Sequence, residues 1–139
     1  MSWDTVVGQE FAKRVLHTHL ADGRVANAYL LAGPDGVGKR LLALEMAKAL
    51  NCTASDMRPC DACPACVQIG RGTHPDVHVL SPAASSDHIR MDAVRYLLGR
   101  IALRPFSAAF QVAIIDGAER LTEEAANSLL KALEEPPAH

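Results

Sequence analysis

Apolar positions recur along this chain with two different periods. In residues 9–22, Phe11, Val15, Leu16 and Leu20 share one face at helical spacing, and Gly23 follows where a helix would end. Residues 28–32 (Ala-Tyr-Leu-Leu-Ala) form a short apolar run, the pattern of a buried parallel strand. Residues 39–50 hold strong helix formers with neither Gly nor Pro. Residues 51–73, broken by Pro59, Pro64, Gly70 and Gly72, predict an irregular stretch with a short helix over 65–69. A second strand is predicted over 76–80. Met91, Val94, Leu97, Leu98 and Ile101 mark an amphipathic helix over 91–103. A third strand covers 111–115 and ends at Asp116. Thr122 is placed to cap a last helix, whose first turn carries Glu123 and Glu124 against the positive helix end. Pro136 and Pro137 stop that helix.

Strands alternating with helices predict βαβ units, hence an α/β fold with a parallel sheet flanked by helices. Three strands make a small sheet with exposed edges, and no strand follows the last helix. The expectation is therefore a truncated domain, with residues 1–139 the N-terminal part of something longer.

The length of 139 residues suits one domain, and 49% apolar with 22% charged residues supports a packed core and excludes disorder. Fourteen basic residues against sixteen acidic ones, a net charge of -2, give no support for a dedicated nucleic-acid grip. Arg90, Arg95, Arg100 and Arg104 are spread around a helix and read as a solvated face. No apolar run is long enough to cross a bilayer, and Met1-Ser2-Trp3-Asp4 lacks a secretory pattern. The expectation is a cytoplasmic protein with no membrane partner, in which cysteines serve as metal ligands rather than disulfides.

Gly33-Pro34-Asp35-Gly36-Val37-Gly38-Lys39-Arg40 matches the phosphate-loop pattern G-x-x-x-x-G-K up to its last position. Gly36 and Gly38 let backbone amides turn inward, and the helix starting at Lys39 offers its positive end to an anion. Lys39 adds a point charge near the β and γ phosphates. The plain alternative is a Gly-rich turn with a chance Lys. At Arg40 the pattern calls for Ser or Thr, whose hydroxyl holds Mg²⁺. Arginine has no acceptor atom and cannot ligate a metal, so the Mg²⁺ site is expected to be impaired. Val112-Ala113-Ile114-Ile115-Asp116 suits a Walker B strand, with Asp116 holding Mg²⁺ through water. Alternatively Asp116 is a turn residue. The water-activating Glu that often follows is Gly117 here. Both departures fall on hydrolysis, while the binding groups survive.

Cys52, Cys60, Cys63 and Cys66 are all the cysteines in the chain, spaced C-x7-C-x2-C-x2-C. Four soft ligands with two-residue gaps fit tetrahedral Zn²⁺, and four sulfurs leave no open position, so the site reads as structural. An iron–sulfur cluster is the rival, with redox thiols third. His74 and His78 are spaced i, i+4, but Pro75 argues against a helical pair, and both read as solvated loop and strand residues.

Together these motifs resemble the N-terminal AAA+ module of the bacterial DNA polymerase III clamp-loader family. Trp3 to Gln9 is similar to the family's opening segment, which implies that Val7 and Gly8 lie near the adenine base. Residues 51–73 resemble its zinc insertion. Ile89-Arg90 and Arg104-Pro105-Phe106 resemble the stretch before Walker B, and Asn127 through Pro137 matches the family closely. The resemblance implies an ATP-modulated ring that places a sliding clamp on primed DNA. Its partners are the other clamp-loader subunits (gamma/tau and delta), the clamp and primer-template DNA. It also implies an arginine finger, a lid and a collar beyond His139. Arg40 and Gly117 depart from the gamma/tau motor pattern and favour a delta-prime-like subunit without intrinsic ATPase activity. An active gamma/tau-type ATPase and an interaction module with an empty phosphate loop are the alternatives. The expected ATP- or ADP-binding set is Val7, Gly8, Gly33, Pro34, Asp35, Gly36, Val37, Gly38, Lys39, Arg40, Leu41 and Asp116. The zinc set is Cys52, Cys60, Cys63 and Cys66, and no catalytic residue is assigned.

Overall fold

The computed structural model describes residues 8–26, 28–32, 38–54, 59–82, 87–104 and 110–134. The chain forms two compact units, Met1–His74 and Pro75–His139. Val7, residues 33–37, Pro105, Phe106, Pro136 and Pro137 lie outside the described residues.

In the first unit, α1 (Glu10–Asp22) is followed by α2 (Lys39–Asn51) and α3 (Pro64–Arg71). Helix α1 ends as its glycine predicts. Gly23 takes φ +67, its amide donates to Leu20 O, and Arg24 N donates to His19 O. This pairing satisfies carbonyls that the last turn leaves open. Leu16 of α1 packs with Leu42, Met46 and Ala49 of α2, and Ala12, Leu20, Val25, Leu31 and Leu50 close around them. Phe11 departs from the expected face and is 76% exposed. The i, i+4 row Ala12–Leu16–Leu20 faces α2, and Phe11 lies one residue off that row.

Residues 28–32 form no strand, contrary to the periodicity. A buried strand needs both faces covered, yet Leu30 is 84% exposed while Leu31 packs on the α1–α2 cluster. The segment is tied by a side chain instead. Tyr29 Oη accepts a hydrogen bond from Ala26 N at 3.0 Å and lies 2.7 Å from His19 Nδ1.

In the second unit, β1 (Val77–Leu80) and β2 (Val112–Ile115) pair in parallel, with Val77 opposite Val112 and Leu80 opposite Ile115. Helix α4 (Met91–Ile101) lies between them in sequence, giving the predicted βαβ unit. A 3₁₀ turn (Ala118–Arg120) leads into α5 (Glu123–Glu134). Thr122 Oγ1 accepts from Ala125 N at 3.2 Å, which is the predicted cap. Among the described residues the fold is thus mixed α/β with five helices, and the parallel sheet has two strands, not three.

Ile89, Val94 and Ala125 form the core of this unit, joined by Leu80, Leu98, Ile115, Leu121 and Leu129. Ile89 also forms a parallel bridge to Leu121. Its amide donates to Arg120 O and its carbonyl accepts from Thr122 N. Asp76 is buried at the start of β1, where its Oδ1 accepts from Gln111 Nε2 at 3.1 Å. His78 is half-buried and donates from Nε2 to Gln111 Oε1. His74 is buried. Neither histidine is the freely solvated residue the pattern implied, and the partner that holds His78 is not local in sequence. Among the described residues, no helix is long and apolar enough to cross a membrane.

Candidate metal centre and phosphate-loop helix

Three pieces of backbone deliver the four cysteines. Cys52 caps the C-terminus of α2, Cys63 is the N-cap of α3, and Cys66 lies in the first turn of α3, with Pro64 at the helix start. Cys60 comes from the turn before α3. That turn needs a left-handed residue, and Asp61 supplies it at φ +61. Aspartate tolerates this conformation better than most side chains. The amides of Ala62 and Cys63 consequently point at Cys60 Sγ, at 3.4 and 3.2 Å. Cys66 N donates to Cys63 Sγ at 3.5 Å and Ala54 N donates to Cys52 Sγ at 3.4 Å.

All four sulfurs lie within 4.8 Å of one another, and Cys52 Sγ and Cys63 Sγ are 3.9 Å apart. A zinc tetrahedron with bonds of about 2.3 Å has an edge of about 3.8 Å, so the cluster has the dimensions to hold such an ion. None of the four is in a disulfide. Cys52 and Cys66 are buried, whereas Cys60 and Cys63 are half-buried.

The thiols differ in acidity. Burial works against ionisation of Cys63, but hydrogen bonds from Thr53 and Cys66 outweigh it and bring the thiol to about 6. Backbone amides of Ala62 and Cys63 lower Cys60. Burial pushes Cys66 up to about 12. Four thiolates this close repel one another, and a divalent cation removes that repulsion.

Beside the cluster, Lys48 Nζ is 3.1 Å from Glu45 Oε1 and 3.3 Å from Asp61 Oδ1. Burial opposes its charge, but the hydrogen bonds and negative charges of Glu45 and Asp61 prevail and hold Lys48 above the usual lysine value. Sequence reading missed this trio. The i, i+3 spacing of Glu45 and Lys48 was a signal for one pair, but nothing local joins Lys48 to Asp61.

The phosphate-loop motif is described from Gly38 onward. Gly38 takes φ +92 as the N-cap of α2, and Leu42 N donates to Gly38 O. The first turn of α2 contains no acidic residue, so Lys39 and Arg40 add their charge to the helix's positive end. Lys39 is half-buried, while Arg40 and Leu41 are exposed. A cavity of about 300 Å³ opens beside this turn, lined by Gln9, Phe11, Val15, Tyr29, Gly38 and Lys39, among others. It explains where Phe11 goes. It is open to solvent and its walls are mostly apolar, with Lys39 the one cation among them. Gly8, at φ +75, precedes this lining, whereas Arg40 and Leu41 are not part of it.

Asp116 belongs to the second unit, directly after β2, where its amide donates to Leu80 O at 2.8 Å. Gly117 then takes φ +87 to enter the 3₁₀ turn.

Comparison with known proteins adds an independent finding. The family described as DNA polymerase III, delta subunit, matches residues 8–139. DNA polymerase III subunit tau of Salmonella typhimurium is 38% identical over 135 residues, covering 96% of this chain and 21% of that protein. DNA polymerase III subunit delta' of Pseudomonas aeruginosa is 38% identical over 139 residues, covering 96% of this chain and 39% of that protein. Subunit tau of Bacillus subtilis is 36% identical over 138 residues, covering 99% and 24%. The chain therefore spans well under half the length of these relatives. Tau and delta' proteins match it equally well, so overall identity does not separate the two kinds of subunit.

Proposed function

The chain belongs to the DNA polymerase III, delta subunit, family, and from that premise we propose that it is part of a delta-prime-like clamp-loader subunit. In this reading it binds ATP or ADP at the phosphate-loop helix without hydrolysing it. Cys52, Cys60, Cys63 and Cys66 hold a structural zinc, with residues 51–73 forming an insertion built around it. Its partners are the gamma/tau and delta subunits, and through them the sliding clamp and primer-template DNA.

The observation that carries the reading is the first turn of α2. Gly38 and Lys39 keep an anion-directed helix start beside a ligand-sized cavity. The next residue, Arg40, brings a cation where magnesium would need a hydroxyl. Gly117 repeats the theme at the end of β2, where a hydrolytic carboxylate is missing. An active gamma/tau-type motor is the second reading, favoured by the tau relatives and by Asp116.

The test uses the full-length protein. A fluorescent ATP analogue should bind saturably, and Lys39→Ala should weaken binding by about 10- to 100-fold, the worth of one charge-assisted contact. Steady ATP turnover with Mg²⁺, abolished by Lys39→Ala, would establish the motor instead. No binding at millimolar nucleotide would establish an empty loop.

A further inference from the structure

Lys48 leaves α2 one turn before Cys52, and its side chain is largely covered. Its ammonium reaches Asp61 in the turn between Cys60 and Cys63. Its end also lies over Gly70 of α3, where an added Cβ would meet Lys48 Cε at 3.6 Å and Nζ at 3.7 Å. One side chain thus starts on α2, binds the Cys60–Cys63 turn and ends beside α3, the three pieces of backbone that bring the cysteines together.

Charge makes this contact costly to lose. Glu45 and Asp61 bring two carboxylates to the one ammonium. Glu45 is buried, and its Oε2 has no hydrogen-bond partner among the described residues. Its charge is answered by Lys48 through Oε1. Deleting the ammonium would leave like charges facing one another in a partly desolvated setting.

We propose that Lys48 is a positioning residue for the metal centre: it clamps the Cys60–Cys63 turn to α2 through Asp61, so that bound zinc is released slowly. The proposal rests on the zinc reading of the four cysteines. An ordinary surface ion pair would have no such effect on metal exchange.

The test measures zinc transfer from the full-length protein to a chromogenic chelator, after elemental analysis of each preparation. The wild type should carry about one zinc per chain. Lys48→Met should release it about tenfold faster or more, the range found when groups supporting a metal ligand are removed. Lys48→Arg should restore most of the slow release, because it keeps the charge. Asp61→Asn, which tolerates the left-handed backbone, should also accelerate release, and the double variant should be no faster than the faster single. Release from Lys48→Met within about twofold of wild type, or single effects that multiply in the double variant, would overturn the clamp. If Lys48→Met fails to fold, unchanged release from Asp61→Asn overturns it alone. A wild type without zinc would instead overturn the metal reading, and this inference with it.

Discussion

Gly117 stands where the family resemblance leads one to expect a Glu, and the backbone makes its own demand at the same residue. Its φ of +87 turns the chain from β2 into the 3₁₀ segment, and an added Cβ would lie 3.7 Å from Pro82 Cδ. That spacing is ordinary contact, so any penalty comes from the backbone. Gly117→Ala should destabilise the protein by about 1 kcal/mol, read from the urea midpoint at unchanged slope. A carboxylate cannot be installed here without meeting the same strain. Legibility at this scale depended on what fixes a residue's place. Two-residue gaps largely determine how Cys60, Cys63 and Cys66 converge, so the cluster could be read from spacing alone. The exposure of Phe11 and the burial of His74 are tertiary outcomes, and pattern misread both.

Among the elements, helices were the most legible. Caps and breakers marked their ends: Gly23 after α1, Thr122 before α5, and the clear stretch that became α2. Residues 28–32 had the composition of a strand, but composition cannot say whether a neighbouring strand will pair with it. Tyr29 found its partners in His19 and Ala26 instead. In the second unit, a single side chain ties several elements. Ile89, 2% exposed, packs with Val94 of α4 and Ala125 of α5 while its backbone bridges to Leu121. Ile89→Ala should cost about 2–5 kcal/mol, measured by chemical denaturation, because the cavity falls where these elements meet.

For the molecule as a whole, the division into two units decides how a disturbance spreads. The cysteines and the Lys48 trio all lie in Met1–His74, whereas the β1–β2 pair lies in Pro75–His139. Chelation should therefore speed amide exchange in α3 and at the C-terminal end of α2, while the amides joining β1 to β2 keep their protection. Uniform loss of protection across both units, or none in either, would contradict that division. The α/β class was readable from the alternation of elements. That only two strands pair among the described residues was not, since strand pairing is decided by tertiary contacts.

Helix α2 runs from the phosphate-loop motif to the cysteine cluster. It starts at Lys39, beside the ligand-sized cavity, and ends at Asn51, next to Cys52. Thirteen residues make a strut about 20 Å long, stiff along its axis. One rigid element therefore carries both Lys39 and the residue before Cys52, and helix geometry alone fixes the span between them.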